Sequence, residues 1–330
     1  MPELLVVCGP TAVGKSMVGI LLAEWLDGEI ISADSMQVYR GLDIGTDKVP
    51  PELRARVPHH MIDIAEPSEG FSAARYEREA RQVIDRLVAE GKLPIVVGGS
   101  GLYIRALIQG IFPAPPASAD IRNRLKREAA EHGVRMLHER LAAVDPAYAR
   151  VASPTDLRRI VRALEVFELT GTPFSAWHER HQAERTPRKA FLVGLTRGRD
   201  DLYRRIDSRV DQMFAQGLVR ETQSLCQKSH LRALKNLKAL GYTEVLSYLE
   251  GRLSLEDAIH LTKRNSRRYA KRQMTWFRKE TVRWVELQPD DDAERSARKV
   301  LHLLPENLKR RLRAGDPGQT DRQRYNIELT

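Results

Sequence analysis

The chain has 330 residues, of which 42% are hydrophobic, and it carries a formal net charge of +10. This length and apolar content suffice for a substantial core, arranged as one large domain with an insertion or as two domains. The composition is that of a soluble globular protein, and it excludes a membrane-spanning one, because no run approaches the ~20 apolar residues that a membrane helix needs.

The amino terminus and the two cysteines indicate where the protein works. The first seven residues, MPELLVV, lack the charged leader of a secretion signal, so we expect a cytoplasmic protein. Cys8 and Cys226 lack Cys-x-x-Cys spacing and a clustered His, so we interpret both as small buried hydrophobic residues and expect no zinc site. The net charge alone fits a polyanionic partner and a merely basic protein equally well.

The first third of the chain alternates between strand-like and helix-like segments. In chain order it predicts a strand at 4–8, a helix at 16–26, a strand at 29–32, a helix at 73–90, a strand at 93–97 and a helix at 102–109. Such alternation indicates an α/β fold with a parallel sheet and helices on both faces. Ligands of these folds bind at the carboxyl ends of strands, where residues 9–16, 33–35 and 98–101 would converge.

The composition changes at Pro113. Residues 112–116 read Phe-Pro-Ala-Pro-Pro and indicate a linker, and 121–169 read as amphipathic helices broken at Gly133, Pro146 and Pro154. We therefore predict a discontinuous core, 1–112 and 188–304, around an inserted helical subdomain at 113–187. The second part of the core is predicted to hold strands at 188–196 and 282–287, helices at 201–215, 218–226, 242–249 and 255–279, and then a disordered tail at 305–330.

The most specific local pattern is a phosphate-binding loop between the first strand and the first helix. A strand that turns into a helix through glycines points backbone N–H groups and the positive end of the helix dipole at one anion. Lys15 would reach the outer phosphate, and the Ser16 hydroxyl would ligate Mg²⁺. The alternative is an ordinary Gly-rich turn. The loop consists of Gly9, Pro10, Thr11, Ala12, Val13, Gly14, Lys15 and Ser16.

Two further side chains are candidates for chemistry at this loop. Asp34 follows the second strand, and its carboxylate could act as a general base; the alternatives are a magnesium ligand and a cap of the turn Asp-Ser-Met. Arg209 shares a helix face with Arg205, and an arginine aimed inward could neutralise a leaving diphosphate. The alternative for these arginines is an exposed ion-pair face with Asp207 and Asp211.

Two basic clusters favour a phosphate backbone as partner. One is Arg158, Arg159 and Arg162 in the insertion, and the other lies on the helix at 255–279 with few balancing acids. That helix carries Lys263, Arg264, Arg267, Arg268, Lys271 and Arg272. Three functions remain open: a small-molecule kinase using ATP, an enzyme that modifies a nucleic-acid base with a diphosphate-bearing donor, and a non-catalytic nucleotide-binding module. The basic C-terminal half favours the second.

Several longer motifs follow one another in order over about residues 4 to 287. They are GPTAVGKS at 9–16, ISADSMQVY at 31–39, LDIGT at 42–46, PHHMID at 58–63, PIVVGGSGLY at 94–103, RALEV at 162–166 and YAKRQMTW at 269–276. Together they closely resemble the bacterial tRNA dimethylallyltransferases, also called tRNA isopentenyltransferases. This family has a P-loop NTPase-like core with an inserted helical subdomain.

The resemblance implies transfer of a dimethylallyl group from dimethylallyl diphosphate to the N6 amine of adenosine 37, 3′-adjacent to the anticodon of tRNA, with Mg²⁺. By the same match Asp34 is the base, Thr11 and Ser16 contact the donor, and Lys15 and Arg209 lie at the diphosphate. A monomer that binds the anticodon stem-loop and no membrane is expected. The implied tRNA contacts are Asp34, Ser35, Met36, Gln37, Ser100, Arg158, Arg159, Ile160, Val161, Arg162, Lys238, Gly241, Tyr242, Arg268, Arg272 and Gln273.

Overall fold

A parallel sheet forms the centre of the computed structural model, which describes residues 3–112, 115–184 and 187–312. Its strands are β1 Leu4–Cys8, β2 Gly28–Ala33, β3 His59–His60, β4 Leu93–Gly98, β5 Ala190–Arg197 and β6 Arg283–Leu287. Their order across the sheet is β3, β2, β4, β1, β5, β6, with every pairing parallel. The predicted α/β fold is confirmed, and β1 with its phosphate loop lies in the interior of the sheet.

The central strands are continuous apolar runs because both faces of the sheet are covered. Every residue of β1 and of β4 is buried. Side chains of a strand alternate between faces, so Leu4, Val6 and Cys8 enter one apolar cluster while Leu5 and Val7 enter the other. This two-sided burial is what makes a parallel strand recognisable from composition alone.

Helices of the core cover both faces of the sheet. Those from the first part of the chain are α1 Lys15–Trp25, α2 Pro51–Arg56, α3 Ala73–Ala89 and α4 Gly101–Gln109. The insertion holds α5 Ala119–His132, α6 Val134–Val144, α7 Pro146–Val151, α8 Leu157–Thr170 and α9 Phe174–Glu184. The later core helices are α10 Arg199–Ala215, α11 Leu218–Leu225, a π-helical turn Cys226–His230, α12 Leu231–Leu237, α13 Tyr242–Leu249, α14 Leu255–Phe277, α15 Ala293–Leu303 and α16 Glu306–Lys309.

The segment Gln109–Pro187 forms one compact unit, and the residues before and after it form the other. The insertion was predicted at 113–187, so this unit begins four residues earlier. Its own apolar core includes Leu125, Leu137, Leu141 and Leu164, all fully or almost fully buried. Residues 113 and 114 of the predicted linker lie outside the described residues.

Several elements were not predicted, and each has a weak sequence signal. β3 is two residues long, and α2 is a single short helix that begins with Pro51. The charged segment 293–303 forms α15, because Asp292 caps it and Ala297, Val300 and Leu301 make a narrow buried stripe. α9 and α12 were also missed; α9 is mostly polar, and α12 is only seven residues long and buries Leu234 alone.

The disordered tail was predicted to begin at residue 305, and this start is wrong. Residues 306–309 form α16, and Leu308 is buried in the same apolar cluster as Leu304. Leu304, just before this helix, and Leu308 within it anchor the stretch to the core. Residues 313–330 lie outside the described residues, so disorder there remains a prediction. In the part of the chain that is described, no helix is long and apolar enough to cross a membrane.

Candidate active site

The phosphate loop leaves β1 and enters α1 through three residues with positive φ, namely Gly9, Ala12 and Gly14. Gly9 has φ +143°, and a Cβ there would lie 2.5 Å from the carbonyl oxygen of Leu195 on β5, so a side chain does not fit. Gly14, with φ +108°, comes directly before Lys15, the first residue of α1. The loop therefore ends at a helix amino terminus, whose first N–H groups have no intrahelical acceptor and suit an anion.

Cationic side chains bind the oxygen atoms of this loop from several directions. They come from α1, from the end of β5 and from α10; Lys15, Arg205 and Arg209 line one cavity, whereas Arg197 is buried and pairs with Asp201. The bonds are Lys15 Nζ to the Pro10 carbonyl (2.7 Å), Arg209 Nη1 to Thr11 Oγ1 (2.7 Å), Arg205 Nε to the Ala12 carbonyl (3.0 Å) and Arg197 Nε to the Val13 carbonyl (3.2 Å). We call Lys15, Arg197, Arg205 and Arg209 the loop cations.

Lys15 is held in an environment that disfavours its charge. Burial and, next, the positive charge of Arg209 lower the pKa of Lys15 from 10.5 to about 8. An anion bound in the loop would act in the opposite direction and favour the ammonium form. The environment of Lys15 therefore favours binding of a negatively charged ligand in the loop.

Arg209 points toward the phosphate loop and not into an ion-pair face with Asp207 and Asp211, and its role at a diphosphate stays a prediction. Besides Thr11, its guanidinium donates to the Thr46 carbonyl at 3.3 Å, and its Nε lies 3.3 Å from a carboxylate oxygen of Asp47. The neighbouring acid Asp207 does form an ion pair, but its partner is Arg267 of α14, at 2.5 Å, and not Arg209. Arg209 is therefore a half-buried wall residue of the site.

Asp34 combines a structural bond with a position at the site. Its Oδ1 accepts the backbone N–H groups of Met36 at 2.8 Å and Gln37 at 3.3 Å, so the predicted turn cap is present. Both bonds fall on one oxygen, and among the described residues no hydrogen bond occupies Oδ2. The half-buried carboxylate lines the cavity next to the phosphate loop, so the role of base stays compatible with the cap.

A cavity of about 250 Å³, called here the central cavity, joins Asp34 to the phosphate loop. Thr11 and Ala12 form one end, and Asp34 and Tyr269 belong to the same lining. Burial and then the negative charge of Asp34 raise the pKa of Tyr269 to about 12, so its hydroxyl keeps its proton at neutral pH. The apolar part of the wall is Met36, Ile206, Val210, Met213, Ala239 and Leu240.

A second cavity of about 540 Å³, called here the loop cavity, lies on the other side of Arg209. It shares Ala12 and Arg209 with the central cavity, and it contains Lys15, Ser16 and Asp47. Cations, the hydroxyls of Ser16 and Ser208 and one carboxylate therefore line a polar space beside an apolar one. This pairing suits an amphipathic ligand with an anionic end.

Gln273 ties α14 to the phosphate loop. Its amide oxygen accepts the Thr11 N–H at 2.9 Å, and its amide nitrogen donates to the Gly99 carbonyl at 3.0 Å. Ser100 follows β4 and accepts the Ser35 N–H at 3.0 Å, so the three strand-end loops do converge. The predicted hydroxyl at position 100 is thus a structural acceptor in the site.

The face of α14 carries fewer free charges than its sequence suggests. Lys263 pairs with Asp211 at 2.7 Å and Arg267 pairs with Asp207 at 2.5 Å, so two of the six cations have acidic partners on α10. The others are exposed and, within the described residues, have no ion pair. We call these four, Arg264, Arg268, Lys271 and Arg272, the basic face of α14.

The second basic cluster lies on α8 of the helical unit. Arg158 and Arg159 are exposed, whereas Arg162 is half-buried and pairs with Glu165 at 2.6 Å. Ile160 and Val161 are buried in the apolar core of this unit. Their side chains serve packing, so these two residues are removed from the set of RNA-contacting side chains.

Burial also corrects two of the implied tRNA contacts in the core. Tyr242 is fully buried and donates its hydroxyl to Glu221, and Gln273 is 7% exposed with both amide groups bonded. Gly241 is buried at the start of α13, while Lys238 is exposed at the rim of the central cavity. The buried side chains of Tyr242 and Gln273 therefore hold neighbouring segments of the site in place through their hydrogen bonds.

The loop 45–47 is the part of the site that sequence reasoning missed. Gly45 and Thr46 line the central cavity and Asp47 lines the loop cavity. Gln37, in the turn that follows β2, holds this loop, since its amide donates to the Thr46 carbonyl at 3.2 Å. The LDIGT motif at 42–46 marks this segment in the sequence, but the motif alone does not show which of its residues face the cavities.

Comparisons with known proteins agree on one family. The model of the IPP transferase family matches residues 37–280. A tRNA dimethylallyltransferase of Geobacter sulfurreducens is 50% identical over 292 residues, which are 88% of this chain and 94% of that protein. A tRNA dimethylallyltransferase of Geobacillus kaustophilus is 48% identical over 300 residues, 90% and 94% of the two chains.

Solved structures give the same answer. The full-length tRNA isopentenylpyrophosphate transferase from Bacillus halodurans has a TM-score of 0.68 at 40% identity, covering 94% of this chain and 98% of that one. A eukaryotic dimethylallyltransferase acting on tRNA has a TM-score of 0.76 at 27% identity, covering 96% and 82%. With its family match, its close relatives and its loop-centred cavities, this chain belongs to the IPP transferase family.

Proposed function

We propose that this protein transfers a dimethylallyl group from dimethylallyl diphosphate to the N6 amine of adenosine 37 in tRNA and releases diphosphate. The observation that carries the proposal is the central cavity, which joins an apolar wall to the phosphate loop and to Asp34. A five-carbon apolar chain on a diphosphate needs an apolar pocket directly beside an anion cradle. The polar sugar of a nucleotide has no such requirement.

The diphosphate belongs at the loop cations. Negative charge grows on the leaving oxygen as the allylic carbon–oxygen bond breaks, and oriented N–H groups with Lys15 and Arg209 stabilise that charge. Arg209 lines both cavities, so its guanidinium lies at the junction between the anionic and apolar ends of such a donor. Thr11 supports the donor from the same loop.

The acceptor amine belongs at the Asp34 end of the central cavity. The N6 lone pair is shared with the adenine ring, so the amine is a weak nucleophile and gains from a hydrogen-bonded carboxylate. The new bond forms between N6 and the allylic carbon, the carbon–oxygen bond to diphosphate breaks, and the N6 proton passes to Asp34. The target base must leave the anticodon-loop stack to reach this point.

Mg²⁺ is part of the proposal, and the donor set of the loop cavity fits it. Ser16 is exposed there with its hydroxyl, and Asp47 adds a carboxylate; both are hard oxygen ligands of the type that Mg²⁺ takes together with substrate phosphates. Within the described residues no cluster of three or more His, Cys, Asp or Glu could hold a metal by itself. When bound, the ion offsets negative charge on the diphosphate.

The tRNA is proposed to bind through cations that have no acidic partner. Arg268 and Arg272 of the basic face of α14 are exposed, and Arg272 also lines the central cavity. Arg158 is the corresponding candidate in the helical unit, whereas Arg159 is also exposed but pairs with Asp156 at 3.3 Å. Contacts of this type bind the phosphate backbone and position the anticodon stem-loop. The proposal includes a monomer that works in the cytoplasm.

The test is a transfer assay with radiolabelled dimethylallyl diphosphate. The label is offered with tRNA that has adenosine at position 37, with the same tRNA carrying guanosine there, with AMP and with no acceptor. We expect label only in the first tRNA. Label in AMP would assign a free-nucleotide acceptor, and ATP hydrolysis without prenyl transfer would support the kinase alternative.

A further inference from the structure

One carboxylate, that of Glu221 on α11, occupies a cluster of hydrogen-bond donors behind the active site. Its Oε2 accepts the backbone N–H groups of Asp43 at 3.3 Å and Ile44 at 2.9 Å, and its Oε1 accepts that of Gly45 at 3.4 Å. Oε1 also accepts the hydroxyl of Tyr242 at 2.5 Å. All four groups are donors, so the site is complementary to an anionic acceptor.

The partner of Glu221 is locked in place by its own packing. Tyr242 is fully buried at the start of α13, and a Cβ on Gly45 would lie 2.4 Å from its ring. Burial and the neighbouring carboxylate raise the pKa of Tyr242, so its hydroxyl stays protonated and donates. The ring, the glycine and the carboxylate therefore fit one another in a single arrangement.

The loop that Glu221 holds is the loop that holds Arg209. The Arg209 guanidinium has three partners. One is Thr11, and the other two are the Thr46 carbonyl and the Asp47 carboxylate, which directly follow the segment bound by Glu221. A shift of residues 43–45 would move both of these acceptors. Glu221 itself does not line either cavity.

We propose that Glu221 is a positioning residue for the diphosphate of the donor, acting through the loop 43–47 on Arg209. The inference rests on the proposed function, because it assigns to Arg209 the leaving group of that reaction. Geometry at the reacting centre is sensitive to such supporting contacts, since small displacements of a charged group reduce transition-state stabilisation.

The discriminating variant is Glu221→Gln. The amide keeps the size of the side chain, but its nitrogen presents donors to backbone N–H groups that are donors themselves, so the loop has to move. Hydrogen bonds to charged groups contribute enough that we expect kcat/KM for dimethylallyl diphosphate to fall about ten- to one-hundred-fold. The KM for tRNA should stay unchanged.

A double-mutant cycle with Arg209→Ala separates this route from general damage. If Glu221 acts through Arg209, Glu221→Gln has little further effect once Arg209 is removed. Multiplying effects would overturn the proposal, and so would donor kinetics of Glu221→Gln equal to those of the unmodified protein.

The matched control is Asp145→Asn in the helical unit. Asp145 is buried, whereas Glu221 is half-buried, and like Glu221 it accepts backbone N–H groups, those of Tyr148 at 3.0 Å and Ser175 at 2.8 Å. We expect this variant to lower the Tm as Glu221→Gln does while leaving donor kinetics unchanged. An equal loss of donor kinetics in both variants would make Glu221 a general stability residue.

Two further measurements keep the result independent of the transfer assay. Inorganic diphosphate binding, followed by calorimetry, should weaken about tenfold in Glu221→Gln, and unchanged affinity would overturn the inference whether or not the unmodified protein transfers a prenyl group. If Glu221→Gln does not fold, Tyr242→Phe keeps the ring against Gly45 and removes one hydrogen bond. We then expect an effect of about two- to tenfold on the same constants, and none would reject the role.

Discussion

The phosphate loop and the basic face of α14 are both rich in cations, but they hold them differently. Each loop cation donates to an oxygen of the loop itself, and Arg197 is 7% exposed. The four cations of the α14 face are exposed and, among the described residues, have no ion pair. Cations held by fixed bonds suit one anion at a defined position, whereas exposed cations without ion pairs suit a long anion that can bind in many positions.

The two regions are physically joined by Gln273. This residue lies on α14, and its amide bonds Thr11 of the loop and the Gly99 carbonyl. The same helix therefore presents charge on one face and fixes the anion cradle with the other. The difference between the regions predicts that variants in the site reduce chemistry, while variants on the exposed face reduce binding.

The largest effect is expected for Asp34→Asn. Asparagine keeps the oxygen that caps the turn at Met36 and Gln37 but loses the negative charge, so it tests the base without the turn. We expect turnover to fall by about 10²- to 10⁴-fold, the usual contribution of general acid–base catalysis, with tRNA affinity unchanged. Rates come from the label-transfer assay and affinity from filter binding.

Asp34→Ala is the companion variant, since it loses the cap as well as the charge. It should lower the Tm further than Asp34→Asn and remove most turnover, while tRNA still binds. Full turnover in Asp34→Asn would reject the base and leave Asp34 as a turn cap only.

An intermediate effect is expected for charge reversal on the α14 face. Arg268→Glu combined with Arg272→Glu should weaken tRNA binding at least tenfold at low salt and reduce the slope of log K against log[salt] by about one to two, because fewer counterions are released. Once tRNA is saturating, kcat should change little. The measurement is a tRNA titration at several salt concentrations.

The control for this reversal is Arg78→Glu with Arg86→Glu on α3. These arginines are also exposed on one helix of the core, at 65% and 53%, and have only loose acidic contacts of 3.8 and 3.9 Å. If the control lowers the affinity and the salt slope as much as the α14 variant, tRNA binding depends on net charge and the α14 face has no special role.

The smallest effect is expected from pH, and it separates lysine from arginine. The pKa of Lys15 is lowered to about 8, so the ammonium form that binds the diphosphate is present below pH 8 and is lost above it. We expect kcat/KM for the donor to fall about fivefold between pH 8 and pH 9, whereas tRNA affinity, carried by arginines, stays constant.

Calorimetry checks this directly. Donor binding at pH 8.5 should take up a fraction of a proton, measured as a dependence of the binding heat on the ionisation enthalpy of the buffer. The anion favours the charged form of Lys15, which gives the uptake its sign. Donor affinity that is flat to pH 9.5, with no proton uptake, would contradict a half-buried, easily deprotonated Lys15.

How far the sequence predicts this molecule depends on the kind of contact. β1, β4 and the loop at 9–16 were located correctly, because a doubly covered parallel strand is continuously apolar and a phosphate loop needs glycines at set positions. α15 and α16 were not, since a few apolar residues among charges acquire meaning only from the neighbours that cover them.

The candidate site divides in the same way. The positions of Asp34, Lys15 and Ser16 next to strand or loop ends follow from chain order, whereas the inward direction of Arg209 does not. The family resemblance pointed to Tyr242 but did not show that it is buried. Nothing in the sequence around Glu221 indicates that four donors surround its carboxylate.

The α/β class, the family, the Gly-rich loop at 9–16 and the surplus of positive charge can be read from the amino-acid sequence, because they depend on local order and composition. The three-dimensional fold is needed to find which cations are bonded, which acids neutralise Lys263 and Arg267, and which apolar helix positions form the wall of the central cavity. Those properties depend on residues far apart in the chain meeting in space, and local patterns carry no record of their partners.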